Sequence, residues 1–202
     1  MLDNRLRRKI DPSLNAIGAF IAKSGLSANS VTWLGFGLGL AAFVAIWQTA
    51  YILGLILLLV SRLADGLDGA VARRTGKTDL GGFLDIVLDF AFYGLIPLGF
   101  VLADPSNNAV AGAVLLFAFY ANGASFLTFA LMAEKRGVDE EARGSKSLLY
   151  TVGLAEATET ILAFVLMCLL PDWFAEIAYA FTAICFVTTA ARIKLAYATF
   201  RD

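Results

Sequence analysis

Two stretches of the chain, RLADGLDGAVAR at residues 62–73 and GGFLDIVLD at residues 81–89, carry four aspartates in otherwise apolar sequence. They form two pairs, spaced i, i+3 and i, i+4: Asp65 with Asp68, and Asp85 with Asp89. On an α-helix either spacing places both side chains on one face. Because only a short loop separates the stretches, we expect two antiparallel, neighbouring helices whose four carboxylates converge.

The composition around these stretches is typical of a membrane protein. Hydrophobic residues make up 59% of the 202 residues and charged residues 16%, and the mean hydropathy is +0.74. Crossing a bilayer takes about 20 apolar residues. The apolar runs predict six transmembrane helices, at 29–48, 51–72, 80–102, 109–132, 148–170 and 175–197. The expected fold is an all-α integral membrane protein forming a single domain over residues 1–202.

Lysine and arginine residues lie at alternate connections of this predicted bundle. They precede the first span, follow the second and the fourth, and end the chain, whereas the other three connections carry none. Since such residues are retained on the cytoplasmic side, both termini and the acidic stretches are predicted to be cytoplasmic.

The N-terminal segment, residues 1–25, is predicted to be an amphipathic helix lying in the membrane interface, ahead of the six-helix domain at 26–202. Apolar residues recur there at helical spacing: Leu14, Ile17, Phe20 and Ile21. A signal peptide is the less favoured interpretation, because Asp11-Pro12 interrupts the segment and Lys23 closes the apolar stretch early.

Several kinds of site are excluded or weak. The chain has no histidine and a net charge of -1, which excludes imidazole chemistry and gives no sign of nucleic-acid binding. Cys168 and Cys185 each lie alone in an apolar run, so they indicate lipid-facing or core residues. The glycines near the start of the first span are interpreted as a helix-packing face: Gly35, Gly37 and Gly39.

Four aspartates inside a membrane need compensation. Each costs about 2.5 to 3.5 kcal/mol near a helix centre. One alternative is pairing with nearby arginines: Arg62, Arg73 and Arg74. Divalent cations compensate better, because oxygen ligands without His or Cys suit Mg²⁺, Mn²⁺ or Ca²⁺. Gly66 and Gly69 leave room for a phosphate, which Arg73 can grip, so the pattern indicates phosphoryl-group chemistry on a lipid.

The pattern Asp65-x-x-Asp68-Gly69-x-x-Ala72-Arg73, followed by Gly81-x-x-x-Asp85-x-x-x-Asp89, resembles the signature of the CDP-alcohol phosphatidyltransferase family. The resemblance covers essentially the whole chain. It implies transfer of a phosphatidyl group from a CDP-alcohol, in most bacterial members CDP-diacylglycerol, to an acceptor hydroxyl with release of CMP. It also implies Mg²⁺ or Mn²⁺ as cofactor, with two ions, a homodimer, and a place in the bacterial inner membrane.

The same resemblance implies roles for individual residues. Asp65, Asp68 and Asp85 would be metal ligands, and Asp89 would contact a metal and accept the proton of the attacking alcohol. The substrate-binding candidates are Asn29, Thr32, Gly69, Arg73 and Thr78. The chain departs from the family pattern in having Ala28 where proline is common, and a loop before Gly81 that is one residue short.

The acceptor is not readable from the sequence. Two basic pairs could bind an acceptor phosphate or could be ordinary cytoplasmic flanking charges, the reading we favour: Arg143 with Lys146, and Arg192 with Lys194. Glu156 and Glu159, inside the fifth span, could order Arg62, contact the acceptor, or form a structural pair.

A second hypothesis comes from another class. The four aspartates could form the ion site of a cation transporter. A transporter should show repeated halves and broken helices near the bilayer midplane, whereas this acidic cluster belongs to one helix pair near its cytoplasmic end. Release of CMP discriminates the two hypotheses.

Overall fold

The computed structural model describes residues 14–137 and 155–201. Within those ranges the chain is helical and has no strand. The helices, in chain order, are α1 (Leu14–Lys23), α2 (Ala28–Trp47), α3 (Tyr51–Thr75), α4 (Asp79–Ala103), α5 (Pro105–Lys135), α6 (Ala157–Leu169) and α7 (Phe174–Phe200), with a 3₁₀ turn at Pro171–Trp173 before α7.

Four segments are long and apolar enough to cross a membrane: α2, α4, α5 and the stretch Pro171–Phe200. The predicted second span is the helix α3, which has 25 residues but carries the charged side chains of the acidic stretch. Of the predicted fifth span, α6 covers 13 residues, and residues 148–154 lie outside the described ranges. The all-helical membrane character is confirmed, and the number six stays a prediction.

Polar caps set the helix boundaries. Ser27 accepts a hydrogen bond from the Ser30 amide at 3.1 Å at the start of α2, and Thr78 accepts one from the Gly81 amide at 3.1 Å at the start of α4. The predicted spans 80–102 and 109–132 leave too long a break between the two helices. Only Asp104 separates α4 from α5, because it caps α5 and Pro105 occupies the first helical turn, where its missing amide costs nothing.

Helix α2 separates the two helices that carry the aspartates. The close backbone approaches of both α3 and α4 are with α2, rather than with each other. A Cβ on Gly35 would lie 3.2 Å from the Cβ of Ala64, and one on Gly39 would lie 2.7 Å from the Phe92 ring. The predicted packing role is therefore confirmed for these two glycines, but Gly37 contacts nothing within 4 Å. The expected antiparallel neighbours meet through side chains, from the carboxylates near their loop ends to Arg62 and Phe92 at the middle of the two helices.

The remaining helices complete the bundle. α5 packs on α7, and contacts between α4 and α5 join the two halves. The core between them is aromatic and aliphatic and includes both cysteines, as expected for core residues. At the end of the bundle opposite the loop between α3 and α4, the Phe100 ring stacks on Tyr51 and Phe174, with centroid distances of 5.6 Å and 5.0 Å.

Helix α1 lies against the loop end of α3. A Cβ on Gly18 would collide with Ala70, and one on Gly66 would lie 3.0 Å from Leu14. The side chains of Ile17 and Phe20 are 49% and 76% exposed. The apolar residues of α1 are thus divided between α3 and an open face.

Candidate active site

Three of the four aspartates converge where α3 and α4 approach each other. Asp65, Asp68 and Asp85 each offer a carboxylate oxygen, and the three oxygens lie within 4.8 Å of one another. Asp68 is only 6% exposed, and its Oδ2 is buried without a hydrogen-bond partner among the described residues. A buried carboxylate oxygen with no donor is costly unless a cation compensates it. The donor set, its spacing and this orphaned oxygen fit a hard divalent cation.

Asp89 lies beside this cluster and is paired with an arginine. Arg62 donates from Nη1 to Asp89 Oδ1 at 2.6 Å, and the same nitrogen is 3.7 Å from Asp65 Oδ1. The guanidinium carbon stands 3.7 Å from the centroid of the Phe92 ring. A cation–π contact of this kind contributes about 0.5 to 2 kcal/mol. The alternative of arginine pairing therefore holds for Arg62, and Asp89 also lines a narrow crevice together with Asp65 and Asp85.

A cavity of about 690 Å³ opens beside the three carboxylates. Asp68 and Asp85 form part of its wall. All five substrate-binding candidates line it as well: Asn29, Thr32, Gly69, Arg73 and Thr78. The first two lie in the opening turns of α2, the next two in the last turns of α3, and Thr78 caps α4. Three helix ends therefore bring these side chains together.

Two glycines of the acidic stretches have different local reasons. A Cβ on Gly81 would lie 3.0 Å from Thr78 Oγ1 and 3.1 Å from Asn29 Oδ1, so a larger residue would require these two side chains to shift. A Cβ on Gly69 would meet only Arg73 Nη1, at the ordinary contact distance of 3.6 Å. Packing therefore does not require glycine at position 69, and the absence of a side chain there leaves space in the cavity.

Comparison with known proteins agrees with this geometry. Residues 26–191 match the CDP-alcohol phosphatidyltransferase family. The chain belongs to this family. It is 47% identical to inner membrane protein YnjF of Escherichia coli over 202 residues, covering 100% of this chain and 98% of that protein.

More distant relatives have names that state an activity. An archaetidylinositol phosphate synthase of Methanothermobacter thermautotrophicus is 32% identical over 158 residues, which cover 78% of this chain and 70% of that protein. The fold matches the crystal structure of Mycobacterium tuberculosis phosphatidylinositol phosphate synthase, PgsA1, with CDP-DAG bound. That match has a TM-score of 0.72 and 19% identity, and it covers 91% of this chain and 93% of that one.

Family membership decides between the two hypotheses drawn from the sequence. This phosphatidyltransferase-family chain is an enzyme rather than a cation transporter, and the acidic cluster belongs to a family that uses divalent metal ions.

Some residues of this phosphatidyltransferase site were missed by the sequence interpretation. Lys77 lines the cavity, and its position beside Thr78 in a loop after two arginines was an available signal. Asn15 of α1 accepts a hydrogen bond from Arg73 Nη2 at 2.9 Å, a contact across 58 residues that no local pattern indicates. Gly66 was wrongly given a phosphate-facing role, because Leu14 of α1 covers it.

A second polar region lies between α5 and α7. Arg192 is 7% exposed, and its Nη1 donates to Asn122 O at 3.0 Å, Asn122 Oδ1 at 2.9 Å and Ser125 Oγ at 2.7 Å. Lys194 is exposed. Arg143 and Lys146 lie outside the described residues. The proposed link between Arg62 and either Glu156 or Glu159 is not observed, since Arg62 binds Asp89.

Proposed function

We propose that the protein transfers a phosphatidyl group from CDP-diacylglycerol, or a related CDP-alcohol, to the hydroxyl of an acceptor alcohol and releases CMP. The observation that carries this proposal is a cluster of three convergent carboxylates, two of which, Asp68 and Asp85, lie in the wall of a cavity that also presents Gly69 and Arg73. Anionic, phosphate-rich donors need both a cation site and fixed positive side chains.

The cavity wall has the groups that a CDP donor requires. Arg73 and Lys77 supply positive charge for the diphosphate, and Gly69 leaves space for it beside Arg73. Asn29, Thr32 and Thr78 offer neutral polar groups for the nucleotide. The similar PgsA1 structure, which has CDP-DAG bound, supports the same choice of donor.

Mg²⁺ or Mn²⁺ is the proposed cofactor, with two ions per site. Asp65, Asp68 and Asp85 would hold the first ion, and Asp89 would contribute to the second. When bound, such ions neutralise the diphosphate and stabilise the departing CMP.

Asp89 is proposed to be the catalytic base. It takes the proton of the acceptor hydroxyl as that oxygen bonds to the phosphorus of the phosphatidyl group and the bond from that phosphorus to CMP breaks. Asp89 lines a narrow crevice together with Asp65 and Asp85, which keeps it beside the cation site without occupying the donor cavity.

The acceptor is proposed to carry a phosphate. Arg192 is buried, yet the partners of its Nη1 are neutral oxygens, so its charge can still attract an anion. The relatives named as synthases of inositol phosphate lipids make a phosphorylated polyol the first acceptor to test.

The proposed location is the bacterial inner membrane, with six spans, both termini in the cytoplasm and the active site facing the cytoplasm. The basic ends of the helices support this orientation: α1 packs on the loop end of α3, and Arg136 after α5 donates to Phe200 O at the end of α7 at 2.9 Å. A reporter fused after Asp202 should therefore register as cytoplasmic. A homodimer remains a prediction, which sedimentation of the solubilised protein tests.

The deciding experiment measures CMP release from CDP-diacylglycerol by purified protein with Mg²⁺ or Mn²⁺. The acceptor panel contains inositol phosphate, glycerol 3-phosphate, inositol, serine, choline and lipid alcohols. One acceptor should stimulate release, and Asp89→Asn should abolish turnover while largely sparing donor binding. Asp79→Asn, an exposed carboxylate on the same helix, is the matched control. Absence of release with every acceptor, in folded and metal-loaded protein, would contradict the proposed donor.

A further inference from the structure

Arg62 is a buried cation within the acidic site that the metal-ligand pattern of the chain does not include. Its side chain is 10% exposed, and it lies one turn before Asp65 on α3. It does not line the donor cavity. Across the helix interface, its guanidinium contacts Asp89 and Phe92 of α4.

The guanidinium is fixed by groups that cannot move freely. It stands over Phe92, whose side chain is fully buried, and within 5.9 Å of the Tyr93 ring centroid. Its Nη2 lies 3.4 Å from Ser61 Oγ. That hydroxyl in turn donates to Gly35 O of α2 at 2.7 Å. Arg62 of α3 thus contacts α4 directly and is linked to α2 through Ser61.

Because Arg62 is fixed in this way, Asp89 is the partner of the ion pair that is oriented by the other. Asp89 is intermediate in exposure and accepts from Arg62 through Oδ1 alone. A planar guanidinium fixed by stacking makes a directional hydrogen bond. The carboxylate of Asp89 therefore takes its orientation from Arg62, and its second oxygen is not used by this contact.

We propose that Arg62 is a positioning residue for Asp89, fixing one carboxylate oxygen so that the other stays directed to the crevice shared with Asp65 and Asp85. The inference rests on the proposed function, because the proposed reaction has an acceptor hydroxyl that Asp89 deprotonates. It also explains why a costly buried arginine is present: one permanent positive charge among four carboxylates keeps the cluster assembled when no divalent cation is bound.

The kinetic test compares Arg62→Met and Arg62→Lys with wild type. Methionine keeps an apolar stem against Phe92 and removes the charge. We expect kcat for CMP release to fall about 10- to 100-fold, the range of one charge-assisted hydrogen bond. The KM for CDP-diacylglycerol should change less than about threefold, because Arg62 is outside the donor cavity. Lysine should restore part of kcat, since it retains the charge but not the planar stacking geometry.

Arg74→Met is the matched control, because Arg74 is exposed at the end of the same helix. It should leave both constants at their wild-type values. Wild-type kcat in Arg62→Met would overturn the proposal. If Arg62→Met does not fold, Arg62→Lys decides: reduced kcat at unchanged donor KM supports the proposal, and wild-type kcat overturns it.

A readout independent of catalysis is a thermal-unfolding cycle of Arg62→Met, Asp89→Asn and the double variant without divalent ions. The two losses in Tm should be strongly non-additive, because each single variant leaves one buried charge unpaired. Added Mg²⁺ should raise Tm more in Arg62→Met than in wild type. Additive losses would overturn the pairing. Failure of the wild type to release CMP would refute the proposed function, whereas normal turnover by Arg62→Met in an active background would refute this inference alone.

Discussion

Two largely buried arginines in the described part of the chain, Arg62 and Arg192, lie in contrasting environments. Arg62, between α3 and α4, is bound by the carboxylate of Asp89 and lies near that of Asp65. Arg192, between α5 and α7, donates from Nη1 to the neutral oxygens of Asn122 and Ser125, and the negative charge of Glu156 also acts on it. A guanidinium matched by carboxylates is a structural counter-ion, whereas one held by dipoles remains able to bind an anion. The contrast predicts that changes in the two regions affect different kinetic constants.

The largest effect should come from removing a ligand on the acidic side. Asp68→Asn replaces the buried carboxylate whose Oδ2 has no donor among the described residues. Mutating a residue that only hydrogen-bonds a metal ligand typically lowers metal affinity or activity about 10- to 100-fold. Because Asp68 is itself a proposed ligand, we expect kcat/KM for CMP release to fall more than about 100-fold. Calorimetric titration with Mn²⁺ should show weaker binding. Asp79→Asn should match wild type in both measurements, and unchanged Mn²⁺ affinity in Asp68→Asn would remove Asp68 from the cation site.

The next largest effect should be on the KM for the acceptor, and it should distinguish the role of Arg192 from that of Arg62. Arg192→Met removes the charge near α5, and we expect the KM for a phosphorylated acceptor to rise about 10- to 100-fold. The KM for CDP-diacylglycerol should stay within about threefold of wild type. Initial rates with each substrate varied in turn measure both constants.

Lys194→Met is the control for this prediction, since Lys194 is exposed two residues farther along α7. An equal increase in acceptor KM in both variants would indicate general surface attraction. An Arg192→Met enzyme that loses donor affinity instead would erase the distinction between the two regions.

The smallest effect should come from the edge of the donor cavity. Asn15→Ala removes the hydrogen bond that orients Arg73. Because this contact is exposed, we expect the KM for CDP-diacylglycerol to rise only about two- to fivefold, with kcat unchanged. Ser24→Ala, one residue beyond the other end of α1, is the control, because Ser24 is exposed and its hydroxyl donates to Ile21 O. A larger effect on the acceptor KM than on the donor KM would contradict the assignment of Arg73 to the donor side.

Helix type and position were readable from the sequence because apolar periodicity and caps are local signals. The predicted spans at 29–48 and 80–102 differ from α2 and α4 by one residue at each end. The linker at Asp104 was overestimated, since Pro105 and the polar residues after it resemble a loop but suit a helix start. The packing of α2 against both α3 and α4 was not predictable. A short loop between α3 and α4 indicates that these two helices are neighbours, but it carries no information about a third helix.

The chemistry of the site was more readable than its scaffolding. Spacing and the short loop predicted that Asp65, Asp68 and Asp85 lie together, and the residues around them indicated Gly69 and Arg73. The family resemblance added Asn29, Thr32 and Thr78 to the cavity wall. The stacking of Arg62 on Phe92 and the hydrogen bond that Arg73 donates to Asn15 connect distant parts of the chain. Such contacts depend on where whole helices lie, which a single sequence does not state.

Gly39 shows how a position with no chemistry can govern a catalytic centre. A side chain there would press on Phe92 and approach Ser61, the two groups that fix Arg62. The spacing between α3 and α4 is therefore determined by the packing of α2, a helix that contributes none of the aspartates. Variation among related sequences should consequently be more restricted on this buried face of α2 than its distance from the substrate would suggest.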